Sequence, residues 1–292
     1  MVINFTKYRR LYYAFSGLLI LASLVAIWQF GLRFGIEFTG GSWLELKFAD
    51  RPTNQEIQEK LAGLGLGEVI IQPAGERGVI LRLKEIDEPT HKQILQALAN
   101  NDLRPEEMSF EAIGPIIGEE LKSKTILAVV LALLAITFYI ALAFRKASGL
   151  GRVSPFQYGL ASLAALFHDI LIPVGVFAVL GVEIDVSFVA ALLTVLGFSV
   201  HDTIVVFDRV RENLLKHANP SFEETINQSL NQTLGRSINT VLTVLLTLLA
   251  LYFFGGETLK PFTLALIIGI TSGAYSSIFI ASPLLISWQN RH

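Results

Sequence analysis

The sequence predicts a polytopic α-helical membrane protein with six transmembrane helices and one α+β domain between the first two. Hydrophobic residues make up 52% of the 292 residues and charged residues only 16%, whereas soluble domains carry roughly 25% charged residues. Six segments stay apolar over the roughly 20 residues that are needed to cross a bilayer. A long polar segment separates the first two, and its hydrophobic pattern alternates between strand and helix periods.

The six apolar segments are the predicted membrane helices. They span residues 11–30, 125–144, 156–180, 186–207, 238–254 and 262–288. Trp28, Gln29 and Phe30 stand where a signal peptide would carry small residues for cleavage. We therefore expect the first helix to be retained in the membrane.

Lysine and arginine are unevenly distributed between the loops, which predicts the orientation. They lie before the first helix, after the second, after the fourth and after the sixth, as Lys7, Arg9, Arg10, Arg145, Lys146, Arg152, Arg209, Arg211, Lys216, Arg236 and Arg291. The loops 181–185 and 255–261 carry Lys260 against three acidic residues. We expect residues 1–10 and the end of the chain to be cytoplasmic, and residues 31–124 to lie outside the cytoplasm.

The segment 31–124 predicts the order βαββαβ, which is the ferredoxin-like motif. Its predicted strands are residues 42–48, 68–72, 79–86 and 109–113. Two capping boxes, Thr53 with Glu56 and Thr90 with Gln93, are expected to open its two helices. On this assignment His91 is an exposed residue at the first position of the second helix.

Charge and composition narrow the possible functions. The formal net charge is −2, so there is no global basic field of the kind that binds nucleic acid. The chain has no cysteine, which excludes disulfide bonds, thiolate metal sites and cysteine nucleophiles. The segment 31–124 shows no Ser/His/Asp grouping, paired carboxylates or phosphate-binding loop. We expect a binding or mechanical module with no catalytic residue, metal or cofactor.

Two predicted membrane helices each contain a His-Asp pair. An ionisable residue at the centre of a membrane helix costs about 2.5–3.5 kcal/mol even on the lenient insertion scale, so it is a functional candidate by default. His168-Asp169 lies near the middle of the third helix, and Asp202 of His201-Asp202 lies roughly 9 Å inside the cytoplasmic end of the fourth. Adjacent helical residues point about 100° apart, and neither pair repeats at i+3 or i+4, which argues against a metal site.

The pairs are interpreted as groups that handle protons. Burial favours the neutral form of a carboxylate, so such a group can take up a proton from one side and release it to the other. Asp202 is the first candidate for a proton relay, and His201 and Asp169 are further candidates. A structural polar lock between helices is the alternative for both acids. Arg236 is either a positive-inside anchor or the partner of a buried acid, and both interpretations stay open.

The later helices carry small and polar stripes. Gly269, Gly273 and Ser277 have the spacing of a close-packing seam. One face of the fifth helix carries three threonines, Thr240, Thr243 and Thr247. They either form hydrogen bonds between helices or line a water path. The polar segment 208–236, with Ser221 as a helix cap, is expected to be a cytoplasmic amphipathic segment on the inner leaflet.

Four segments carry long motifs. Beyond the first helix the motif consists of Phe34, Gly35, Ile36, Glu37, Phe38, Thr39, Gly40 and Gly41. The other motifs are residues 166–170, 200–213 and 231–240. These motifs resemble those of the SecD/SecF family of bacterial protein-export proteins. Glu37 stands where the family usually has aspartate, and His201 stands where asparagine is common.

The resemblance implies an RND-like half-transporter in the bacterial inner membrane, with no hydrolytic site. It implies pairing with SecD, action beside the SecYEG channel on preprotein substrates, contact with YajC and YidC, and use of the proton-motive force. By position, Asp202 matches the family's proton-relay carboxylate and Arg236 the arginine beside it. The histidine at position 201 leaves the pH range of this relay open.

Three alternatives remain at this stage. One is an RND-type exporter half-unit for small molecules or lipids, which would share the helices and the buried acid. Another is a structural membrane-assembly subunit, in which the polar residues only lock helices together. The last is a membrane hydrolase, for which the sequence offers no defensible nucleophile or metal constellation. The choice between H⁺ and Na⁺ as coupling ion is also open.

Overall fold

A computed structural model describes residues 3–99, 105–145, 153–216 and 221–289. The chain forms two compact units. The first unit contains the residues up to Arg33 and from Leu127 onward, and the second unit is Phe34–Ile126. Within the described parts, six helices are long and apolar enough to cross a membrane. This confirms the predicted number of membrane helices. Lys146, Arg152 and Arg291, which entered the orientation prediction, lie outside the described residues.

The six membrane helices are numbered first to sixth in chain order. They are Arg9–Phe30, Pro115–Ala143, Pro155–Leu180, Val186–Lys216, Phe222–Phe254 and Lys260–Gln289. The third begins with a capping box between Ser154 and Gln157 and ends at Gly181, whose φ of +62° favours glycine. The fifth begins at the predicted cap, because the Ser221 side chain accepts a hydrogen bond from the Glu224 N–H.

The segment 208–236 does not form a separate surface helix as expected. The fourth helix continues to Lys216, and the fifth begins at Phe222. The apolar residues Phe222, Ile226 and Leu230 are buried in one cluster with residues of the membrane helices. Their apolar face therefore packs against protein, and the described parts of the segment extend the fourth and fifth helices.

The sixth helix packs against the third, fourth and fifth. A Cβ atom on Gly269 would lie 2.4 Å from Val195 Cγ2, and one on Gly273 would lie 2.8 Å from Ser199 Cβ. These distances are shorter than normal contacts, so only glycine permits this approach of the sixth helix to the fourth. The predicted small-residue seam is confirmed.

The sixth helix contains one π-helical turn, Ser277–Ala281, between α-helical segments Lys260–Ser276 and Ser282–Gln289. Pro283 explains this widening, because its ring would clash with the carbonyl four residues earlier in a regular α-helix and it has no N–H to donate. The Ser282 hydroxyl donates to the Ser277 carbonyl at 3.1 Å and so satisfies one carbonyl of the turn.

The second unit contains a four-stranded antiparallel sheet. Its elements in chain order are α1 (Ile36–Thr39), β1 (Gly41–Lys47), α2 (Asn54–Leu61), β2 (Ile70–Ala74), β3 (Gly78–Leu83), α3 (Glu88–Leu98) and β4 (Glu106–Ile113). The strand order is β2-β3-β1-β4, so β3 lies between β1 and β2 as in the ferredoxin-like motif. The core between sheet and helices includes Leu44, Leu81, Ile57 and Ile94.

His91 is not the exposed first residue of its helix, and the capping box of Thr90 with Gln93 is wrong. The helix begins at Glu88, because the Asp87 side chain accepts from the Thr90 N–H at 3.0 Å and proline is tolerated in the first turn. His91 therefore lies one turn further along and is buried. Its ring stacks on Phe110 of β4, with the centroids 3.9 Å apart.

Candidate functional site

The two acidic residues of the sequence analysis are buried in the packed helices. Asp169 of the third helix is 0% exposed and Asp202 of the fourth helix is 7% exposed. Both lie beside the sixth helix, which supplies polar groups around them. An ionised carboxylate buried in this way needs hydrogen-bond donors, because an unpaired buried charge is very unfavourable.

Asp169 is surrounded by donors from three helices. Ser199 and Ser276 donate to its Oδ2 at 2.6 and 2.7 Å. Ser272 donates to Oδ1 at 3.1 Å, and His168 Nδ1 lies 3.0 Å from the same oxygen. An ionised carboxylate has about four acceptor positions, so these four groups match its full capacity.

His168 is buried beside Asp169, with 1% of its surface exposed. Its ring stacks on Tyr275 of the sixth helix, with the centroids 5.8 Å apart. The Tyr275 hydroxyl accepts from Ser16 at 3.1 Å and donates to the Tyr12 carbonyl at 3.3 Å, so this polar cluster reaches the first helix. His168 Nε2 is buried and has no hydrogen-bond partner among the described residues.

Asp202 has far fewer partners. Ser237 of the fifth helix donates to its Oδ1 at 2.5 Å. Its Oδ2 is buried and accepts no hydrogen bond from a described residue. The next residue, Thr203, shares a hydrogen bond of 2.9 Å with Ser277 of the sixth helix. Asp202 is therefore held at one oxygen and open at the other.

Arg236 and His201 both lie on the exposed surface of this single chain. His201 directly precedes Asp202, and Arg236 directly precedes Ser237. Among the described residues, the hydroxyl of Ser237 is the group bonded to Asp202. The three threonines of the fifth helix are exposed as well, and each donates to a carbonyl of its own helix, as found for Thr240, Thr243 and Thr247.

The motif that begins at Phe34 forms a tight corner in the second unit. Gly40 and Gly41 have φ values of +73° and +136°, which favour glycine. A Cβ atom on Gly40 would lie 2.6 Å from the Pro115 Cα, and one on Gly118 would lie 2.8 Å from the Gly40 nitrogen. The paired glycines thus let the corner before β1 contact the first turn of the second membrane helix.

The remaining motif residues hold this corner together. Phe38 is buried and packs edge to face on Phe34, whose ring lies 4.3 Å from Lys122 Nζ. The Thr39 hydroxyl donates to the Gly35 carbonyl at 3.0 Å. The contacts of these residues stabilise the conformation of the corner.

The serines around the two acids were missed in the sequence analysis. Ser272 and Ser276 are four residues apart on the small-residue face of the sixth helix, and Ser199 is three residues before Asp202. Hydroxyl groups at i and i+4 beside a glycine seam were the available signal. In the described residues, no group of three histidine, cysteine, aspartate or glutamate side chains is arranged to hold a metal ion.

Known proteins match this chain over nearly its whole length. The family described as "Protein export membrane protein SecD/SecF, C-terminal" matches residues 93–291, and the "SecD/SecF GG Motif" matches residues 25–50. The protein translocase subunit SecF of Thermobaculum terrenum is 47% identical over 99% of this chain and 95% of its own length. The chain belongs to the SecF branch of the SecD/SecF family. A second relative, SecF of Desulfurispirillum indicum, is 38% identical over 99% of this chain.

Solved structures of the family agree with the fold. The crystal structure of SecDF from Thermus thermophilus matches with a TM-score of 0.87 and 34% identity, and it covers all of this chain. The chain spans 39% of that longer SecDF chain. A second structure, described as SecDF in a super-membrane-facing form, matches with a TM-score of 0.71 at the same identity. The protein is therefore a multi-pass membrane protein and a subunit of the protein translocase.

Proposed function

We propose that this chain works with SecD in the bacterial inner membrane and uses the proton-motive force to drive late steps of preprotein translocation through SecYEG. The positive loops of the sequence support an orientation with both ends in the cytoplasm. The domain Phe34–Ile126 then lies on the side where the preprotein emerges. YajC and YidC are proposed as further partners from the family resemblance alone.

The observation that carries the proposal is the open oxygen of Asp202. A proton can add to Oδ2 without breaking a hydrogen bond, because Ser237 occupies only Oδ1. Protonation removes a buried negative charge and so changes which helix packing is favoured. One charge crossing ~100 mV corresponds to about 2.3 kcal/mol, which shifts a two-state equilibrium about 50-fold.

Arg236 and His201 are proposed to complete the relay in the assembled complex. Both are exposed on this chain, although charged groups on membrane helices normally face protein or water. SecD helices that cover this surface would bury both side chains next to Asp202. The longer SecDF chain, of which this chain spans 39%, supports such a neighbour within one complex. Protonation of Asp202 would then release Arg236 and let the two helical halves move against each other.

Differences between relatives support a conformational cycle. The two SecDF structures match this chain at the same identity and coverage but with TM-scores of 0.87 and 0.71. The second structure is described as a super-membrane-facing form, a description that supports more than one conformation of SecDF. In the proposed cycle, proton uptake and release move the outer domain between a state that holds the preprotein and a state that releases it.

The test is proton-gradient-dependent completion of preprotein translocation into inverted vesicles that contain SecYEG, SecD and this chain. Asp202→Asn is expected to lose the gradient-dependent component, because the amide cannot carry the proton. Glu224→Gln is the matched control, since it also turns a carboxylate into an amide but lies exposed on the fifth helix. Both variants are compared with the wild type at equal membrane levels and equal assembly with SecD.

The possible outcomes distinguish a proton relay at Asp202 from a structural polar lock. Loss in Asp202→Asn with normal translocation in Glu224→Gln supports the proposed function. Unchanged gradient dependence in Asp202→Asn would reject the relay assignment, because a lock survives in its neutral isostere. Replacing the proton gradient by a sodium gradient in the wild type decides the coupling ion in the same assay.

A further inference from the structure

Two buried side-chain atoms of the described membrane helices have no hydrogen-bond partner, and the proposed relay uses only one of them. They are Asp202 Oδ2 and His168 Nε2. A buried polar atom without a partner is unusual and calls for an explanation. For Asp202 the explanation is proton uptake. The unpaired Nε2 of His168, at a separate place in the helix bundle, also needs an explanation.

With Asp169 ionised, the hydrogen of the neutral His168 ring lies on Nδ1, and the Ser272 hydroxyl, which is 3.3 Å from Nδ1, donates to Asp169 Oδ1. Three serines and His168 Nδ1 surround the carboxylate, which matches the four acceptor positions of its ionised form. An ionised carboxylate only accepts, so Nδ1 carries the hydrogen. In the neutral ring Nε2 is then a bare lone pair. It can take up a proton without breaking any hydrogen bond.

With Asp169 ionised, the described residues around His168 contain one formal charge. On its own helix the ionisable neighbour is Asp169, and on the sixth helix it is Tyr275, which contacts Tyr12 on the first. The fourth helix contributes the hydroxyl of Ser199. Among the described residues, Asp169 forms the only ion-pair contact of His168. An added proton on the ring is therefore balanced by a carboxylate that is already fixed in place.

We propose that His168 Nε2 is a second proton-accepting atom in this chain, and that Asp169 with its three serines is the fixed counter-ion that orients the ring. This inference rests on the proposed proton coupling. A proton adds to the Nε2 lone pair and gives an imidazolium beside the ionised carboxylate. The charge of the pair changes from −1 to 0, and loss of the same proton restores the starting state. Asp169 is a positioning residue, because it keeps its proton count throughout.

The second site is connected to the first through two helices. Ser199, which binds Asp169, lies three residues before Asp202 on the fourth helix, a rise of about 4.5 Å. On the sixth helix, Ser276 binds Asp169 and the next residue, Ser277, binds Thr203 beside Asp202. A change of charge at His168 therefore acts on the same helix contact that positions Asp202. The π-helical turn begins at Ser277, and such turns are frequent at functional sites.

The direct test observes the ring of His168. The full chain, assembled with SecD in lipid and labelled with ¹⁵N-histidine, is examined by solid-state NMR over a range of pH. The His168→Gln variant identifies the signal by its loss. We expect the neutral ring to be protonated at Nδ1 and to become imidazolium as the pH falls. In Asp169→Asn the neutral ring is expected to lose its fixed tautomer, an effect that a purely packing role would not produce.

Translocation supplies the second readout. His168→Gln is expected to change the pH profile of gradient-dependent translocation while assembly with SecD is preserved, whereas Asp202→Asn removes that component at every pH. If His168→Gln keeps the wild-type pH profile while Asp202→Asn is inactive, the inference fails and the proposed function stands. If Asp202→Asn is unaffected, the proposed function fails. A His168 ring that never becomes imidazolium in the NMR titration overturns the inference in either case.

Discussion

The pair His168-Asp169 on the third helix and the pair His201-Asp202 on the fourth have the same two residues in the same order. In the first pair the histidine is buried and the carboxylate is bonded by four groups from three helices. In the second pair the histidine is exposed and the carboxylate has one donor. The proposed proton-accepting atom therefore lies on the histidine in one pair and on the aspartate in the other. Equal motifs thus support different chemistry when the neighbouring helices supply different donors.

Protein stability is expected to show the largest difference between the two pairs. Asp169→Ala removes the acceptor shared by four buried groups, and each buried donor that finds no other acceptor costs about 1–3 kcal/mol. Asp202→Ala frees only the Ser237 hydroxyl, at about 1 kcal/mol. The free energy of unfolding of the two variants in detergent measures this difference. Equal losses would contradict the claim that Asp169 is saturated and Asp202 is not.

The glycine seam gives the next largest effect, because it brings Ser199 to Asp169. Gly273→Ala places a Cβ atom 2.8 Å from Ser199 Cβ, and such overpacking costs about 1–3 kcal/mol. Gly197→Ala is the matched control on the fourth helix, since no atom lies within 4 Å of its added Cβ. The control is expected to unfold in detergent no more easily than the wild type, because alanine favours a helix over glycine by up to about 1 kcal/mol. A loss of equal size in both variants would contradict the seam, because the Cβ atom added in the control meets no other atom.

The smallest effect is expected for Asp87, a carboxylate that is exposed to water, unlike Asp169 and Asp202. Hydrogen bonds from the side chain and backbone of Thr90 hold the pKa of Asp87 below its usual value. Because the folded-state pKa is the lower one, the cap stabilises α3 fully above the ordinary pKa of about 3.9 and loses this effect as the pH falls through the folded-state value. Amide-exchange protection of α3 in the full chain should fall over that range.

Asp87→Asn is the control for this prediction. Asparagine is also a good helix cap but does not titrate, so the protection of α3 in the variant should depend less on pH than in the wild type. The dependence that remains belongs to Glu88, because the hydrogen bond and ion pair with Lys92 also lower the pKa of this carboxylate. An identical pH dependence in wild type and variant would assign the effect to another group.

The α+β domain shows which features local sequence patterns can predict. Alternation and the Thr53-Glu56 capping box predicted the βαββαβ order, and the structure contains both. The start of α3 was predicted wrongly because the sequence contains two possible N-caps, Asp87 and Thr90. The structure uses Asp87, with Pro89 in the first turn. The segment 208–236 was misjudged for another reason. Its apolar stripe is compatible with lipid or with protein, and only the packing of Phe222, Ile226 and Leu230 decides between them.

The sequence by itself determined the six membrane helices, the order of elements in the α+β domain, the family and the two acids within the membrane helices. These features depend on length, local period and residue type, which neighbours along the chain specify. The tertiary structure decided which acid is saturated and which is open. Ser199 lies 30 residues and Ser276 107 residues from Asp169 along the chain. Contacts over such separations depend on how the helices pack, and no local pattern in the sequence encodes them.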